Sequence, residues 1–226
     1  MKKQILFILF SIASIVSQAQ SHEIGVLLGG SNFIGDIGRT NYIYPNKIGG
    51  GIIYKYNLNP RIALRGTYTY IPVSAKDSDA ENAFRQNNGR TFSNNIHEFA
   101  AGIEFNFYDY NIGDHRTSYT PYIFAEVATF NYKSPARAIS NNIIELKNKF
   151  SYSAPVGIGI KGLLVNNLAI AFEIGARFTF ADDIDYSTPD ISSLNFGGNG
   201  NDWYVFSGLS IVYTFGKPQC YNGLTE

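Results

Sequence analysis

Over residues 168–180 one set of side chains, Leu168, Ile170, Phe172, Ile174, Ala176, Phe178 and Phe180, alternates strictly with a second, Ala169, Ala171, Glu173, Gly175, Arg177 and Thr179. A period of two held this long specifies a β-strand. Strands of soluble domains average roughly 5–6 residues, whereas a strand crossing a bilayer at a tilt needs about 9–11. The first set is wholly apolar. The second carries one acid and one base among small residues, and such charges must stay solvated or paired. In a transmembrane barrel the place for them is the lumen.

The N-terminal segment supplies a route to a membrane. Lys2 and Lys3 precede an apolar run over residues 5–16, and Ser17-Gln18-Ala19 sets small residues at positions minus three and minus one of a cleavage site after Ala19. Residues 1–19 are therefore expected to be a cleaved signal peptide. The apolar run is shorter than the ~20 residues of a spanning helix. No cysteine follows the cleavage site, which argues against a lipoprotein. No second run is long enough for a spanning helix, so membrane insertion must use strands.

Aromatic residues make up 15% of the chain and charged residues 16%, the latter well below the ~25% usual in soluble proteins. This balance suits a barrel whose exterior meets lipid. The formal net charge is zero, which leaves no electrostatic footprint for nucleic acid. Cys220 is the single cysteine, so no internal disulfide forms; it is either idle or a contact to a partner in the oxidising periplasm.

Alternation recurs over residues 22–30, 47–57, 61–71, 95–107, 119–132, 152–164 and 202–215, giving eight strands with 168–180. The connections alternate in length. Those at 31–46, 72–94, 133–151 and 181–201 are long, those at 58–60 and 165–167 are short, and 108–118 is moderate. An up-and-down outer-membrane barrel has this pattern, with short turns and both termini periplasmic and long loops outside. Asn57 with Pro60, and Asn166 with Asn167, supply turn chemistry at the tight connections. The loops 75–89 and 182–200, rich in Asp, Asn, Ser and Gly, are expected to be solvated and mobile.

The charges test this arrangement. If Ile24, Ile52, Leu64, Ile103, Ile123, Ile158, Ile170 and Leu209 face lipid, then Glu23, Lys55, Arg65, Glu98, Glu104, Glu126, Lys161, Glu173 and Arg177 all face inward. Five acids then meet four bases in a lumen just wide enough for its own side chains. If Leu164 pairs with Leu168, Lys161 lies diagonal to Glu173. The fold expected is all-β: an eight-stranded antiparallel up-and-down transmembrane β-barrel over residues 20–215 with a filled, ion-paired lumen, followed by a periplasmic tail over 216–226. Tyr54, Tyr56, Tyr68, Tyr70, Phe105, Phe107, Trp203, Tyr204, Tyr213 and Phe215 gather near strand ends, as interfacial girdles do.

Little points to catalysis. Gly157-Ile158-Gly159-Ile160-Lys161-Gly162 matches a dinucleotide-binding fingerprint in letters, but the alternation runs straight through it, whereas the fingerprint needs a strand to end there and a helix to begin. The glycines are expected to make room for bulky lumen side chains. His22 and His115 fall at the periplasmic end and His97 near the opposite rim, and His97 points away from Glu98. Asp182, Asp183, Asp185 and Asp190 could offer oxygens to calcium, yet their spacing fits no defined calcium loop, so a solvated loop is expected. No enzyme activity, metal or cofactor is expected.

Several segments resemble a known family. They are His22-Glu23-Ile24-Gly25, Gly29-Gly30-Ser31-Asn32-Phe33-Ile34-Gly35-Asp36-Ile37-Gly38, Tyr54-Lys55-Tyr56-Asn57-Leu58-Asn59-Pro60-Arg61, Ala63-Leu64-Arg65, Glu98 with Glu104-Phe105-Asn106-Phe107, and Pro121-Tyr122-Ile123-Phe124. The most specific is Asn201-Asp202-Trp203-Tyr204-Val205-Phe206-Ser207-Gly208-Leu209-Ser210-Ile211, followed by Tyr213-Thr214-Phe215-Gly216 and Cys220. Together they resemble the PorG family, the outer-membrane barrel component of the type IX secretion system of Bacteroidota. The resemblance implies a small barrel that contacts a periplasmic ring of the lipoprotein PorK and PorN, serving protein export and gliding motility. It implies no catalytic residue. The periplasmic pieces and the tail with Cys220 would face the ring. An alternative role is adhesion or ligand binding through the long extracellular loops. A soluble ligand-binding barrel would reverse the two faces, with apolar groups inside and charges outside.

Overall fold

The computed structural model describes residues 21–110, 119–140, 143–165, 167–196 and 200–216. The signal segment 1–19, His115, the tail beyond Gly216 and Cys220 lie outside them. The strands are β1 (Ser21–Ile34), β2 (Lys47–Asn57), β3 (Ile62–Lys76), β4 (Thr91–Asn106), β5 (Tyr119–Ser140), β6 (Ile143–Val165), β7 (Leu168–Thr179) and β8 (Trp203–Gly216). Each pairs antiparallel with its sequence neighbour, and β1 closes on β8 from Ser21↔Gly216 to Ile34↔Trp203. Closure leaves no unpaired edge in the wall, as hydrocarbon demands.

All eight residues expected to face lipid do so, Ile24 and Ile158 among the most exposed. All nine expected lumen charges are buried. The alternation thus assigns faces correctly on every strand, because a shift of one residue would put each charge in lipid.

The strands depart from the sequence reading mainly at the long-loop end. The segment 133–151, expected as a loop, is mostly a two-stranded ribbon that runs from Tyr132↔Lys149 to Ser140↔Ile143. One face of its base, with Tyr132 and Ser134 buried, packs on the loop after β7, and no hydrocarbon imposes a polarity alternation there. Likewise β3 and β4 continue to Lys76↔Thr91 and are joined by a 3-10 turn (Asp77–Asp79) and a short helix α1 (Ala83–Asn88). The Asn82 side chain accepts the Phe84 N–H at 2.8 Å to start α1, and Gly89 ends it at φ 63°.

At the β2–β3 turn, Asn59 rather than Asn57 supplies the turn chemistry, its Oδ1 accepting the N–H groups of Arg61 and Ile62 at 2.8 Å. Asn57 is a lumen residue that donates to Glu23 Oε1 at 2.9 Å. At the β6–β7 turn a bulge between Leu163 and Val165 moves Leu168 opposite Val165 instead of Leu164. Beyond the bulge Lys161 pairs with Ala171, so it does lie diagonal to Glu173.

A charged lumen under a stoppered mouth: the candidate functional site

Acids and bases alternate across the lumen because each strand contributes inward residues at a different height. Glu104 on β4 collects Lys55 Nζ at 2.7 Å, Lys161 Nζ at 2.6 Å and Arg65 Nη1 at 3.4 Å. Arg65 on β3 spreads its guanidinium over Glu126 Oε1 at 3.0 Å and both oxygens of Glu173 at 3.2 Å. The planar five-donor fork is what lets one side chain hold three carboxylates. Tyr122 donates to Glu173 at 2.9 Å, and the Arg65 guanidinium lies 4.1 Å from the Phe124 ring centre.

A second cluster lies nearer the long loops. Glu98 accepts Arg177 Nε at 3.3 Å and the Tyr204 hydroxyl at 2.6 Å, while Arg177 Nη1 donates to the Gly175 carbonyl at 2.7 Å. Tyr204, expected in an aromatic girdle, is therefore an inward residue and fully buried. Lys161 bonds Glu104, not its diagonal neighbour Glu173. Glu23 has no ion pair within 4.0 Å among the described residues; Asn57 holds one oxygen and the other is unpartnered.

Gly157 and Gly159 are the counterparts of this filling. A Cβ on Gly157 would lie 2.5 Å from Phe124 Cζ, and one on Gly159 would lie 2.4 Å from Tyr122 Cζ. The strand runs uninterrupted through both, so the glycine fingerprint marks packing. At the short-turn end Tyr110 folds inward, buried, with Lys161 Nζ 4.2 Å above its ring. Nothing in the alternation points to Tyr110, since it belongs to a turn.

The mouth at the long-loop end is closed by an apolar core that the alternation does not mark. Phe33, Ile37, Ile71, Phe92, Ile96, Phe130, Tyr132, Ile184 and Phe206 pack as one buried cluster. Ile37 and Ile184 come from loops, and both are at most 2% exposed. The loop after β7, expected to be solvated, instead folds down into the barrel. Its Asp183 accepts Tyr132 Oη at 2.5 Å, Ser134 Oγ at 2.6 Å and Lys149 Nζ at 2.7 Å. Burial pushes this carboxyl up, but those three bonds outweigh it and hold Asp183 below the usual carboxylate range.

Asp185 and Asp202 behave in the opposite sense. Both are 1% exposed, and Asp185 Oδ2 has no hydrogen-bond partner. Desolvation, with the charge of Asp36 added, raises Asp185 to about 7; desolvation and the charge of Asp185 raise Asp202 to about 9. Asp190 is exposed. Among the described residues no three or more His, Cys, Asp or Glu side chains are grouped to hold a metal ion. His22 and His97 sit in outward aromatic girdles, bonded to Tyr54 at 2.8 Å and Tyr68 at 2.9 Å.

No helix among the described residues is long and apolar enough to cross a membrane. A closed antiparallel barrel with apolar side chains outside and ion pairs inside is the architecture of a membrane-spanning β-barrel. The chain belongs to the family described as Domain of unknown function (DUF6089), whose pattern matches residues 2–223. No curated protein matches it. Among solved structures it is similar to the N-terminal β-barrel domain of Pseudomonas aeruginosa OprF, at 14% identity and TM-score 0.45, covering 88% of this chain and 98% of that one. It is also similar to Neisserial surface protein A, at 10% identity and TM-score 0.47 with 88% and 98% covered. A major outer membrane protein from Thermus thermophilus is similar at 13% identity and TM-score 0.48, with 88% and 100% covered.

Proposed function

We propose that this protein is a non-enzymatic outer-membrane component of the type IX secretion and gliding machinery, an anchor for its periplasmic ring. The support for a structural role is the filled lumen. With Arg65, Glu104 and Glu173 bonded across the barrel, Tyr110 buried at the short-turn end and the Ile184 cluster buried at the other, side chains of the described residues fill the interior rather than line a channel. Function then falls to the surfaces. The ring assignment rests on the resemblance to PorG, and its partners would be proteins of the PorK and PorN kind.

On this reading the termini are periplasmic, and the short-turn face with the exposed Arg61–Asp109 bridge at 2.7 Å, together with the tail bearing Cys220, contacts the ring. Chemical crosslinking in native outer membrane followed by affinity capture tests this directly. Recovery of ring lipoprotein with the barrel is the expected outcome; recovery of the barrel without any periplasmic protein defeats it. Deleting residues 217–226 is expected to weaken that recovery, and unchanged recovery would remove the tail and Cys220 from the contact.

A second reading, adhesion, is favoured by one observation. The β5–β6 ribbon continues the two strands from Tyr132↔Lys149 to Ser140↔Ile143 and exposes Leu146. Binding of intact cells to an extracellular ligand, lost when the ribbon is trimmed, would favour adhesion over anchoring.

A further inference from the structure

The lipid-facing wall is not uniformly bulky. One row of paired residues crosses five strands as Ile24, Tyr54, Gly66, Ala101 and Val127. Gly66 and Ala101 stand directly opposite each other, so the wall recedes between the Tyr54 ring and Val127. The depression has a volume of about 630 Å3 and is walled by Tyr68, Phe99 and Tyr152. It continues toward the long loops as a second hollow of about 470 Å3 that shares Ile52, Tyr68, Phe99 and Thr129 and ends at His97, Asn131 and Phe150. Volumes of this order hold an organic ligand of ordinary size.

Gly66 is the informative residue. A Cβ on Gly51, Gly102, Gly157 or Gly159 would come within 2.5 Å of a backbone carbonyl or a ring carbon, so packing demands glycine there. A Cβ on Gly66 would meet only the Ala100 carbonyl, at 3.8 Å, and its φ is not positive. Neither sterics nor backbone conformation requires glycine at this position. What the missing side chain does is keep the groove open.

We propose that this groove is a binding site for one acyl chain of a membrane lipid, with the phosphate of its headgroup held at the long-loop end. This rests on the reading of the chain as a membrane barrel. Lipid is the occupant that the groove's polarity describes: apolar at the Gly66 and Ala101 end, with Thr129, His97 and Asn131 toward the long loops and Lys133 exposed two residues beyond Asn131 on the same face. An amphiphile with a phosphate between chain and headgroup matches that order. Within a bilayer the groove gains affinity from dispersion contact and shape, since lipid tails are as apolar as the wall.

The test uses the full mature chain in nanodiscs of phosphatidylcholine with a minor fraction of phosphatidylglycerol, released and read by native mass spectrometry. The wild type is expected to retain one phosphatidylglycerol. Gly66→Leu and Ala101→Leu fill the groove, and retention is expected to fall about tenfold, the scale of about ten lost dispersion contacts. Ala176→Leu adds the same bulk elsewhere on the outer wall and should retain lipid like the wild type. Lys133→Gln should retain a lipid but lose the preference for phosphatidylglycerol. Equal retention by wild type and Gly66→Leu overturns the proposal. So does a wild type that is dimeric where Gly66→Leu is monomeric, because the occupant is then a second copy. Heat-modifiable gel mobility in all variants reports that the barrel is folded. A mature chain that stays monomeric in plain buffer sinks the membrane reading itself, a result distinct from failure of the groove alone.

Discussion

Arg65 on β3 and Glu173 on β7 meet across the full width of the barrel through two parallel hydrogen bonds of 3.2 Å. Removing one member of such a buried pair strands the other, at a cost of about 3–5 kcal/mol. Arg65→Met also strands Glu126, so it is expected to be the most destabilising single lumen substitution. The midpoint of heat-dependent gel mobility, or thermal unfolding in detergent, should drop strongly. A change within error of the wild type would show that the network is not needed for the fold.

The carboxylates should rank by how many cations they hold. Glu104 receives Lys55, Lys161 and Arg65, whereas Glu126 bonds Arg65 through one oxygen and leaves the other unpartnered. Glu104→Gln should therefore lower stability much more than Glu126→Gln under the same unfolding conditions. The reverse order would contradict the assigned pairing.

Because side chains fill the lumen from Tyr110 to the Ile184 cluster, the wild-type protein should show no stable conductance steps in a planar bilayer. Reproducible single-channel openings would require a path that this packing excludes.

Glycine substitutions should divide by location. Gly159→Ala places a methyl 2.4 Å from Tyr122 Cζ and 2.7 Å from the Phe172 carbonyl, and overpacking of this kind costs about 1–3 kcal/mol. Gly66→Ala meets nothing nearer than 3.8 Å and should leave stability unchanged. Thermal unfolding of the two variants side by side checks both.

The stoppered mouth should loosen as pH rises. Asp185 and Asp202 titrate near 7 and 9 when folded, both above the ordinary carboxyl range. A carboxyl raised on folding binds its proton more tightly in the folded state. Its stabilising contribution is therefore full below the unfolded pKa, about 3.9, and is lost as pH climbs through the folded values. Hydrogen-exchange protection over residues 182–196, taken relative to the intrinsic rate at each pH, should fall between pH 6 and about 9, and Asp202→Asn should flatten that fall. Equal protection at both ends of the range would refute the linkage.

What the sequence by itself determined was the wall. In a strand the side-chain period is two, and hydrocarbon cannot accept a charge, so Ile24 against Glu23, Leu64 against Arg65 and Phe172 against Glu173 fix which face looks where. Strand number, closure and the inward set of nine charges follow from that rule. Tertiary structure alone decided the partners. Lys161 on β6 lies diagonal to Glu173 yet bonds Glu104 on β4, because reach across a lumen depends on height and side-chain length rather than on spacing. It also decided the ends. Outside the bilayer neither water nor protein imposes a strict alternation, so the β5–β6 ribbon, the inward Tyr110 and the loop residues Ile37 and Ile184 that seal the mouth left no periodic trace.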